Sequence, residues 1–260
     1  MGAVAPRHGD VRRRGQPTGV VTIEYRRGRM EATYPVEAAV VARPDQPFLT
    51  KVFGWMFVGL TLTGGVAALI GSNEALLTDI TETPGILIGV VIGQLVLVIA
   101  LVAAINRLPV AIATLLFLAY SATVGITFAF LFELYTAESI FTAFLVTAGM
   151  FGALAVFGAI TDIDLSKVGA IAFMALIGLI LATIVNIFWA SETLYWITTY
   201  AGVLIFSALT AYDMQKLTQI SKQGLEGQAE GRAAIIGALS LYLDFINLFI
   251  FLLRIFGRSR

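Results

Sequence analysis

Two aspartates interrupt long apolar stretches of this chain, and they are the residues best placed to do chemistry. Asp244 lies in the middle of residues 233–255, which are otherwise largely apolar, and Asp213 ends the apolar part of residues 194–213. A charged side chain near the centre of a bilayer costs roughly 2.5–3.5 kcal/mol even on lenient insertion scales. Asp244 is therefore expected to face protein or water rather than lipid.

The spacing of the two aspartates predicts that they reach a similar depth. Good helix formers continue from Asp213 to Lys222, which would place Asp213 nine residues, or about 14 Å, inside the end of its helix. Asp244 lies twelve residues after Arg232, or about 18 Å by the same rise. A short Gly-rich turn joins the two helices and favours antiparallel neighbours. The alternative is that Asp213 is an interfacial charge beside Lys216.

A close pair of carboxylates has two chemical uses. Both groups cannot ionise in a low-dielectric setting without a large cost, so the pair titrates as a unit and can share a proton. The same oxygens suit a hard cation such as calcium. Ser240, Asp244 and Asn247 recur at helical spacing and form a supporting polar stripe. We therefore predict a site at Asp213 and Asp244 where protons and calcium compete.

The composition is that of a membrane protein. Hydrophobic residues make up 58% of the chain and charged residues only 13%, where soluble domains carry roughly 25% charged residues. The formal net charge is zero, so bulk electrostatics indicates no nucleic-acid partner. The chain has no cysteine and its one histidine is His8, near the N-terminus. These counts argue against thiolate metal sites, a cysteine nucleophile and a histidine-based triad.

Six apolar blocks of spanning length precede residues 233–255. They are residues 52–70, 85–105, 109–132, 139–160, 168–190 and 194–212. Each is close to the roughly 20 residues that a helix needs to cross a bilayer, and none alternates in the way a barrel strand does. We predict an all-α polytopic membrane bundle of seven transmembrane helices, embedded in the lipid bilayer.

The charges of the connections predict the orientation of the chain. Connections after the first, third and fifth spans contain acidic residues and no Lys or Arg, whereas the other connections carry the basic residues. By the positive-inside rule, the N-terminus is cytoplasmic. Arg254, Arg258 and Arg260 oppose that rule, because a seventh crossing places them outside. We expect the last helix to cross rather than to re-enter and return.

The N-terminal residues differ in composition from the rest. Residues 1–45 are predicted to form a basic, disordered tail, and residues 46–260 the seven-helix domain. Two interpretations of residues 1–29 stay open. Either they belong to a cytoplasmic tail, or translation starts at Met30 and they come from a misplaced upstream start.

Small residues on two spans predict close helix packing. Gly85, Gly89 and Gly93 repeat every four positions in the second span. A similar face in the fourth span consists of Gly149, Gly152, Ala155 and Ala159. Such faces let helix backbones approach each other in lipid.

We predict hydrogen bonds across helices for three neutral polar residues within the spans, Gln94, Asn186 and Asn247.

Several motifs occur in the same order in a known family. The longest is GALSLYLDFINLFIFLLR at residues 237–254, and the shorter ones are TAYD at 210–213, VGIT at 124–127, DLS at 164–166 and NIF at 186–188. In these motifs the chain resembles the Bax inhibitor-1 family, the transmembrane Bax inhibitor motif proteins, from about residue 46 to the C-terminus. The last-helix motif is specific, whereas the shorter motifs are weak alone.

The resemblance implies a fold, a site and a cellular setting. It implies seven helices with the C-terminal helix central, a pH-sensitive calcium leak, and a di-aspartyl sensor at Asp213 and Asp244. A gating latch of the family falls on Arg107, which here lacks a surrounding basic cluster. Bacterial relatives imply the inner membrane and a link to a membrane-anchored ATP-dependent protease.

Two functions from different classes remain open at this point. The first is a proton-regulated conductor of cations, with calcium as the bound or permeant ion. The second is a non-transporting regulator of a membrane protease or a stress-response partner. An enzyme is disfavoured because no HExxH motif, nucleophile elbow or phosphate-cradling loop occurs, and we expect neither catalytic residues nor an organic cofactor. The sequence does not indicate the oligomeric state.

Overall fold

Helices account for nearly all of residues 46–258, the part of the chain that the computed structural model describes. They are α1 Gln46–Gly71, α2 Glu74–Glu82, α3 Pro84–Ala104, α4 Val110–Ala129, α5 Leu131–Leu134, α6 Ala137–Ile160, α7 Ser166–Trp189, α8 Glu192–Ser221 and α9 Gly227–Phe256. Seven helical segments are long and apolar enough to cross a membrane, with α4 and α5 forming one of them. The predicted all-α, seven-span class is confirmed. The predicted tail and start site lie outside the described residues.

Polar side chains at the connections define where several helices begin. The Asn73 side chain accepts a hydrogen bond from the backbone N–H of Leu76 at the start of α2. Thr136 and Ser191 cap α6 and α8 in the same way. Before α7, the Asp164 carboxylate accepts the Ser166 N–H at 2.9 Å, and hydrogen bonds from the Ser166 side chain and backbone lower the pKa of Asp164. The short polar connections thus stop one span and start the next.

The C-terminal helix is the most buried of the seven spans. In its most apolar window 72% of the residues are buried, against 33% or fewer in each other span. It packs against α1, α4, α6 and α8. In a bilayer the other helices can place apolar side chains against lipid, whereas the buried carboxyl group of Asp244 requires enclosure by protein or water.

A polar contact joins α9 to α1 and α4. The Thr63 hydroxyl donates to the carbonyl oxygen of Ser121 at 2.8 Å and lies 2.7 Å from the hydroxyl of the fully buried Tyr242. Because the Thr63 proton is used on Ser121, Tyr242 donates to Thr63. The rings of Phe117 and Tyr120 meet Tyr242 edge-on, with centroids 5.8 and 6.0 Å away.

One end of the bundle joins the starts of α1, α4 and α9. The Lys51 ammonium lies 2.6 Å from the Glu230 carboxylate. The Arg232 guanidinium donates to the carbonyl oxygen of Asn106 at 2.8 Å, and the first helical N–H of α4 bonds the Gln228 side chain. The N-terminal end of the domain, the α3–α4 connection and the α8–α9 connection therefore lie on the same side.

The last described residues of the chain lie at the other end of the bundle. Backbone groups of Arg258 bond the Thr136 N–H and the Ser139 hydroxyl at the start of α6, at 3.4 and 3.0 Å. The Arg254 guanidinium lies over the ring of Tyr195 at 5.3 Å, beside the start of α8. These contacts place the end of α9 opposite the start of α1. The last helix crosses the bundle, as the sequence predicted.

The prediction of close packing at Gly85, Gly89 and Gly93 is wrong for this chain. A methyl group added at any of them would meet nothing within 4 Å. The reason is that α3 packs mainly on α4, and it does so with a different face. There Gln94 donates to the carbonyl oxygen of Thr123 at 2.8 Å and lies 2.6 Å from the Thr127 hydroxyl, a predicted cross-helix contact that is confirmed.

The close approach of α6 occurs at a glycine that the sequence analysis did not select. Gly149 and Gly152 have open space beside them, whereas a methyl group on Gly158 would collide with the carbonyl oxygen of Ala211 in α8.

The predicted cross-helix hydrogen bonds of Asn186 and Asn247 are not formed, and both side chains bond local backbone groups instead. Asn186 accepts the Ser191 N–H after its own helix, and Asn247 donates to a carbonyl within α9.

The two glycines of α6 should respond to alanine in opposite directions. We expect Gly158→Ala to destabilise the protein by about 1–3 kcal/mol, because the methyl group forces α6 away from the α8 backbone. Gly152→Ala is the matched control, and its better helix propensity should raise stability by up to about 1 kcal/mol. Detergent unfolding followed by circular dichroism measures both. Equal effects at the two positions would contradict the assigned contact.

The arrangement of the ends also gives a labelling test of orientation. The chain has no cysteine, so Gln223→Cys in the exposed α8–α9 connection supplies a single thiol. Gly227 is a poorer choice because its φ is +59°, a conformation that cysteine rarely adopts. We expect an impermeant maleimide to reach Cys at position 223 only after the membrane is opened. Labelling of this cysteine in intact cells would contradict the predicted cytoplasmic placement. Glu192→Cys, at the opposite end of α8, is the control and should be labelled in intact cells.

Candidate functional site

The first aspartate of the predicted pair lies inside α8 rather than at its end. The helix continues to Ser221, with Lys222 as its C-cap, so eight residues of helix follow Asp213. This second half of α8 is well enclosed, and its buried residues include Met214, Gln215, Leu217 and Thr218. Protein packing at this depth disfavours the alternative in which Asp213 is an ordinary interfacial charge.

A serine of α9 is bonded to one aspartate and lies one helical turn from the other. The Ser240 hydroxyl donates to Oδ2 of Asp213 at 2.5 Å, across the α8–α9 contact. Asp244 follows one helical turn later on the same face of α9. It is only 4% exposed, and its Oδ2 has no hydrogen-bond partner within residues 46–258. Asp213 and Asp244 lie close enough to interact electrostatically, so the predicted pair and its serine do come together.

The three side chains line a cavity of about 680 Å³ between α7, α8 and α9. One wall belongs to α7, which packs extensively only against α8. Near the site the two helices are close, because a methyl group on Gly169 would press into the ring of Tyr212. Lys216 also lines the cavity, is exposed, and interacts electrostatically with Asp213. The carboxyl groups therefore face a space wide enough for water and small ions.

Two other residues of the predicted site are placed elsewhere. Asn247 donates to the carbonyl oxygen of Leu243 at 2.7 Å within its own helix and does not extend the pair. Arg107 is exposed, and in the described part of the chain it makes no ion pair and does not line the cavity. Within residues 46–258, Arg107 therefore does not form the expected latch. The arginine that bonds the α3–α4 connection is Arg232 of α9.

The number of oxygen atoms at the site limits how a cation could bind. Among residues 46–258 no group of three or more His, Cys, Asp or Glu side chains converges in the manner of a metal centre. The two carboxyl groups and the Ser240 hydroxyl supply fewer oxygens than the six to eight that calcium takes. Water would have to complete the shell. This arrangement suits a weakly held or passing cation better than a resident one.

A glutamine that the sequence analysis missed positions the α8 side of the site. The buried Gln215 accepts the backbone N–H of Leu165 at 2.9 Å and donates to the carbonyl oxygen of Ile163 at 2.7 Å. It thereby holds the α6–α7 connection against α8, two residues after Asp213. The only signal in the sequence is a polar amide on the buried side of α8, which becomes visible once the helix is known to extend to Ser221.

The comparisons with known proteins agree with the architecture. The family model described as "Inhibitor of apoptosis-promoting Bax1" matches residues 45–260. The inner membrane protein YbhL of Escherichia coli K12 is 48% identical over 217 residues, which cover 83% of this chain and 93% of that protein. An uncharacterized protein of Deinococcus radiodurans is 41% identical over 213 residues, which cover 82% of this chain and 90% of that protein. One of Borreliella burgdorferi is 40% identical over 215 residues, covering 82% and 92%.

The contact between Ser240 and Asp213 should be measurable as an energetic coupling. We expect Ser240→Ala and Asp213→Asn to be non-additive in the free energy of unfolding, with a coupling of about 0.5–3 kcal/mol, because the first removes this hydrogen bond and the second removes the charge of its acceptor. Ser207→Ala is the matched control, since Ser207 bonds only a carbonyl of its own helix. That variant should combine additively with Asp213→Asn. Additivity in both cycles would show that Ser240 does not hold Asp213 in solution.

Proposed function

The chain belongs to the Bax inhibitor-1 family, and on that basis we propose that it is a proton-regulated cation conductor of the bacterial inner membrane. Calcium is the proposed ion, and Asp213 and Asp244 form the proposed proton and calcium sensor. The chain is an integral multi-pass membrane protein, and the proposal adds a role for its buried acidic pair. In this proposal the N-terminus is cytoplasmic and no residue is catalytic.

The observation that carries the proposal is the environment of Asp244. Its side chain is almost fully buried, and one carboxyl oxygen has no partner in the described part of the chain. An ionised carboxylate in such a place is costly unless a cation or a hydrogen-bond donor compensates it. A bound proton or a bound cation would each satisfy the group. The two occupants exclude one another, which is the property that a proton-regulated cation site requires.

Asp213 and Ser240 give the pair its asymmetry. Asp213 already accepts the Ser240 hydroxyl, whereas Asp244 has only its negative neighbour within reach. Ionisation of both carboxylates is therefore opposed by their mutual repulsion, and the pair gains or loses its last proton as a unit. Because Ser240 and Asp244 belong to α9 and Asp213 to α8, that proton changes the interaction between the two helices.

The cavity supplies the space for an ion beside the pair. Its α7 wall is held mainly by contacts with α8, including the close contact of Gly169 with Tyr212. The exposed Lys216 lines the same cavity and places a positive charge near the carboxylates. A permeant cation would have to compete with that charge as well as with protons, which favours weak binding and rapid exchange.

Calcium flux into liposomes that contain only this protein tests the proposal. We expect flux through the native protein to differ between about pH 5 and about pH 8, because protons and the cation compete for the pair. Asp213→Asn and Asp244→Asn should each bring the ratio of the two fluxes close to one, because either change removes the coupled titration. Asp162→Asn, at an exposed residue of the α6–α7 connection, is the control and should keep the native ratio.

Two results would contradict the proposal. One is an unchanged pH ratio in both aspartate variants, provided that circular dichroism shows the native helix content. The other is no calcium flux from folded protein at either pH. The second result would favour the alternative proposal, a non-transporting membrane protein that regulates a membrane-anchored ATP-dependent protease or a stress-response partner.

A further inference from the structure

A second cavity lies in a different part of the bundle from the aspartates. It has a volume of about 310 Å³ and is formed by α1, α4, α5, α6 and α9. Its walls are almost entirely apolar and rich in phenylalanine, and they include Leu60, Ala67, Phe128, Phe132, Phe144 and Phe249. The one hydroxyl in the lining belongs to Thr63, which is already bonded to Ser121 and Tyr242. The cavity therefore offers a ligand contact surface but no free hydrogen-bonding group.

The opening of this cavity faces the lipid-exposed surface between α1 and α6. Both helices pack on α9, yet they make no extensive contact with each other. Phe141 of α6 is 62% exposed at the margin, and Gly64 of α1 is exposed with nothing within 4 Å of a methyl group placed on it. In a membrane-spanning chain such a surface is in contact with acyl chains, so the cavity is continuous with the hydrocarbon region.

Charged residues at the end of the cavity indicate its depth. Glu133 and Glu138 are exposed, and Arg258 is bound to the first turn of α6. Charges at a span's end lie at the headgroup level, because the hydrocarbon core excludes them. The lining begins at Ala137 and reaches Phe144, six residues beyond Glu138, or about 9 Å along the helix. The cavity thus occupies the hydrocarbon immediately beneath the headgroups of one leaflet.

We propose that this cavity binds one acyl chain of a membrane phospholipid. Its volume is about twice that of the roughly 150 Å³ apolar cavities that bind benzene, so it is large enough for part of a chain. The site opens to the hydrocarbon region and offers no free hydrogen-bonding group, which suits a flexible apolar chain from the bilayer.

Photolabelling with a phosphatidylcholine that carries a diazirine in the middle of one acyl chain tests this site. The full-length protein is labelled in liposomes, and the modified residues are mapped by mass spectrometry. We expect the cavity residues of α1, α6 and α9 to be labelled more strongly than the exposed faces of α3 and α7. Equal labelling of all lipid-facing residues would overturn the proposal, because it would indicate only the surrounding lipid.

A filled cavity provides the second arm. Gly64→Leu places a side chain at the opening, and we expect it to reduce labelling within the cavity about tenfold, which corresponds to ~1.4 kcal/mol of lost binding. Gly89→Leu is the matched control, because Gly89 is also exposed with open space beside it but lies outside the cavity. Its labelling should match that of the native protein. Undiminished labelling in folded Gly64→Leu would overturn the proposal.

A free fatty acid with the same diazirine separates the two sources of an acyl chain. Phospholipid labelling should persist when the fatty acid is present as an unlabelled competitor at the same concentration. If only the fatty acid labels the cavity, the phospholipid proposal is wrong. The map obtained with the native protein does not depend on whether any variant folds. Neither Asp213 nor Asp244 lines this cavity, so the labelling map tests this site separately from the proposed ion site.

Discussion

A carboxyl group inside a bilayer must be surrounded by protein or water, and Asp244 places this requirement at the middle of α9. The helix that contains it is accordingly the most buried span and packs against four others. Two other polar side chains of α9 form hydrogen bonds to neighbouring helices, Tyr242 with Thr63 of α1 and Ser240 with Asp213 of α8. The surrounding helices also bury polar side chains, but these are hydroxyl and amide groups such as Thr199 and Gln215 of α8. The buried carboxyl group of Asp244, rather than the number of polar residues, thus distinguishes the enclosed helix.

The polar contacts of α9 also account for the way the bundle is held at its two ends. At one end Glu230 and Arg232 bond α1 and the α3–α4 connection, and at the other the backbone of Arg258 bonds the first turn of α6. Hydrophobic exclusion does not drive helices together within lipid, so such polar contacts and close packing carry much of the specificity. The close packing occurs at separate backbone approaches, Gly158 against Ala211 and Gly125 against Thr63, rather than along a regular stripe.

The sequence was sufficient for the features that depend on composition and on spacing along one helix. Span length predicted the seven crossings, and the rise per residue predicted a similar depth for Asp213 and Asp244, which line one cavity. It was insufficient wherever the answer depends on which face of a helix meets a neighbour. Gly89 and Gly158 are the same residue in similar apolar contexts, yet only Gly158 contacts another backbone. The choice between Arg107 and Arg232 likewise depends on how α9 is rotated against the α3–α4 connection, which no local pattern encodes.

The two cavities share α9 as a common wall, and this relates their chemistry. Asp244 lines the polar cavity and the next residue, Phe245, lines the apolar one, as their separation of about 100° around the helix allows. Phe245 also packs edge-on against Phe144 and Phe151 of α6. A rotation of α9 that moved Asp244 away from α8 would therefore have to move Phe245 against α6 at the same time. Because packed aromatic rings resist small displacements, the α6 contact opposes any adjustment of the acidic pair, and the two sides of α9 cannot change independently.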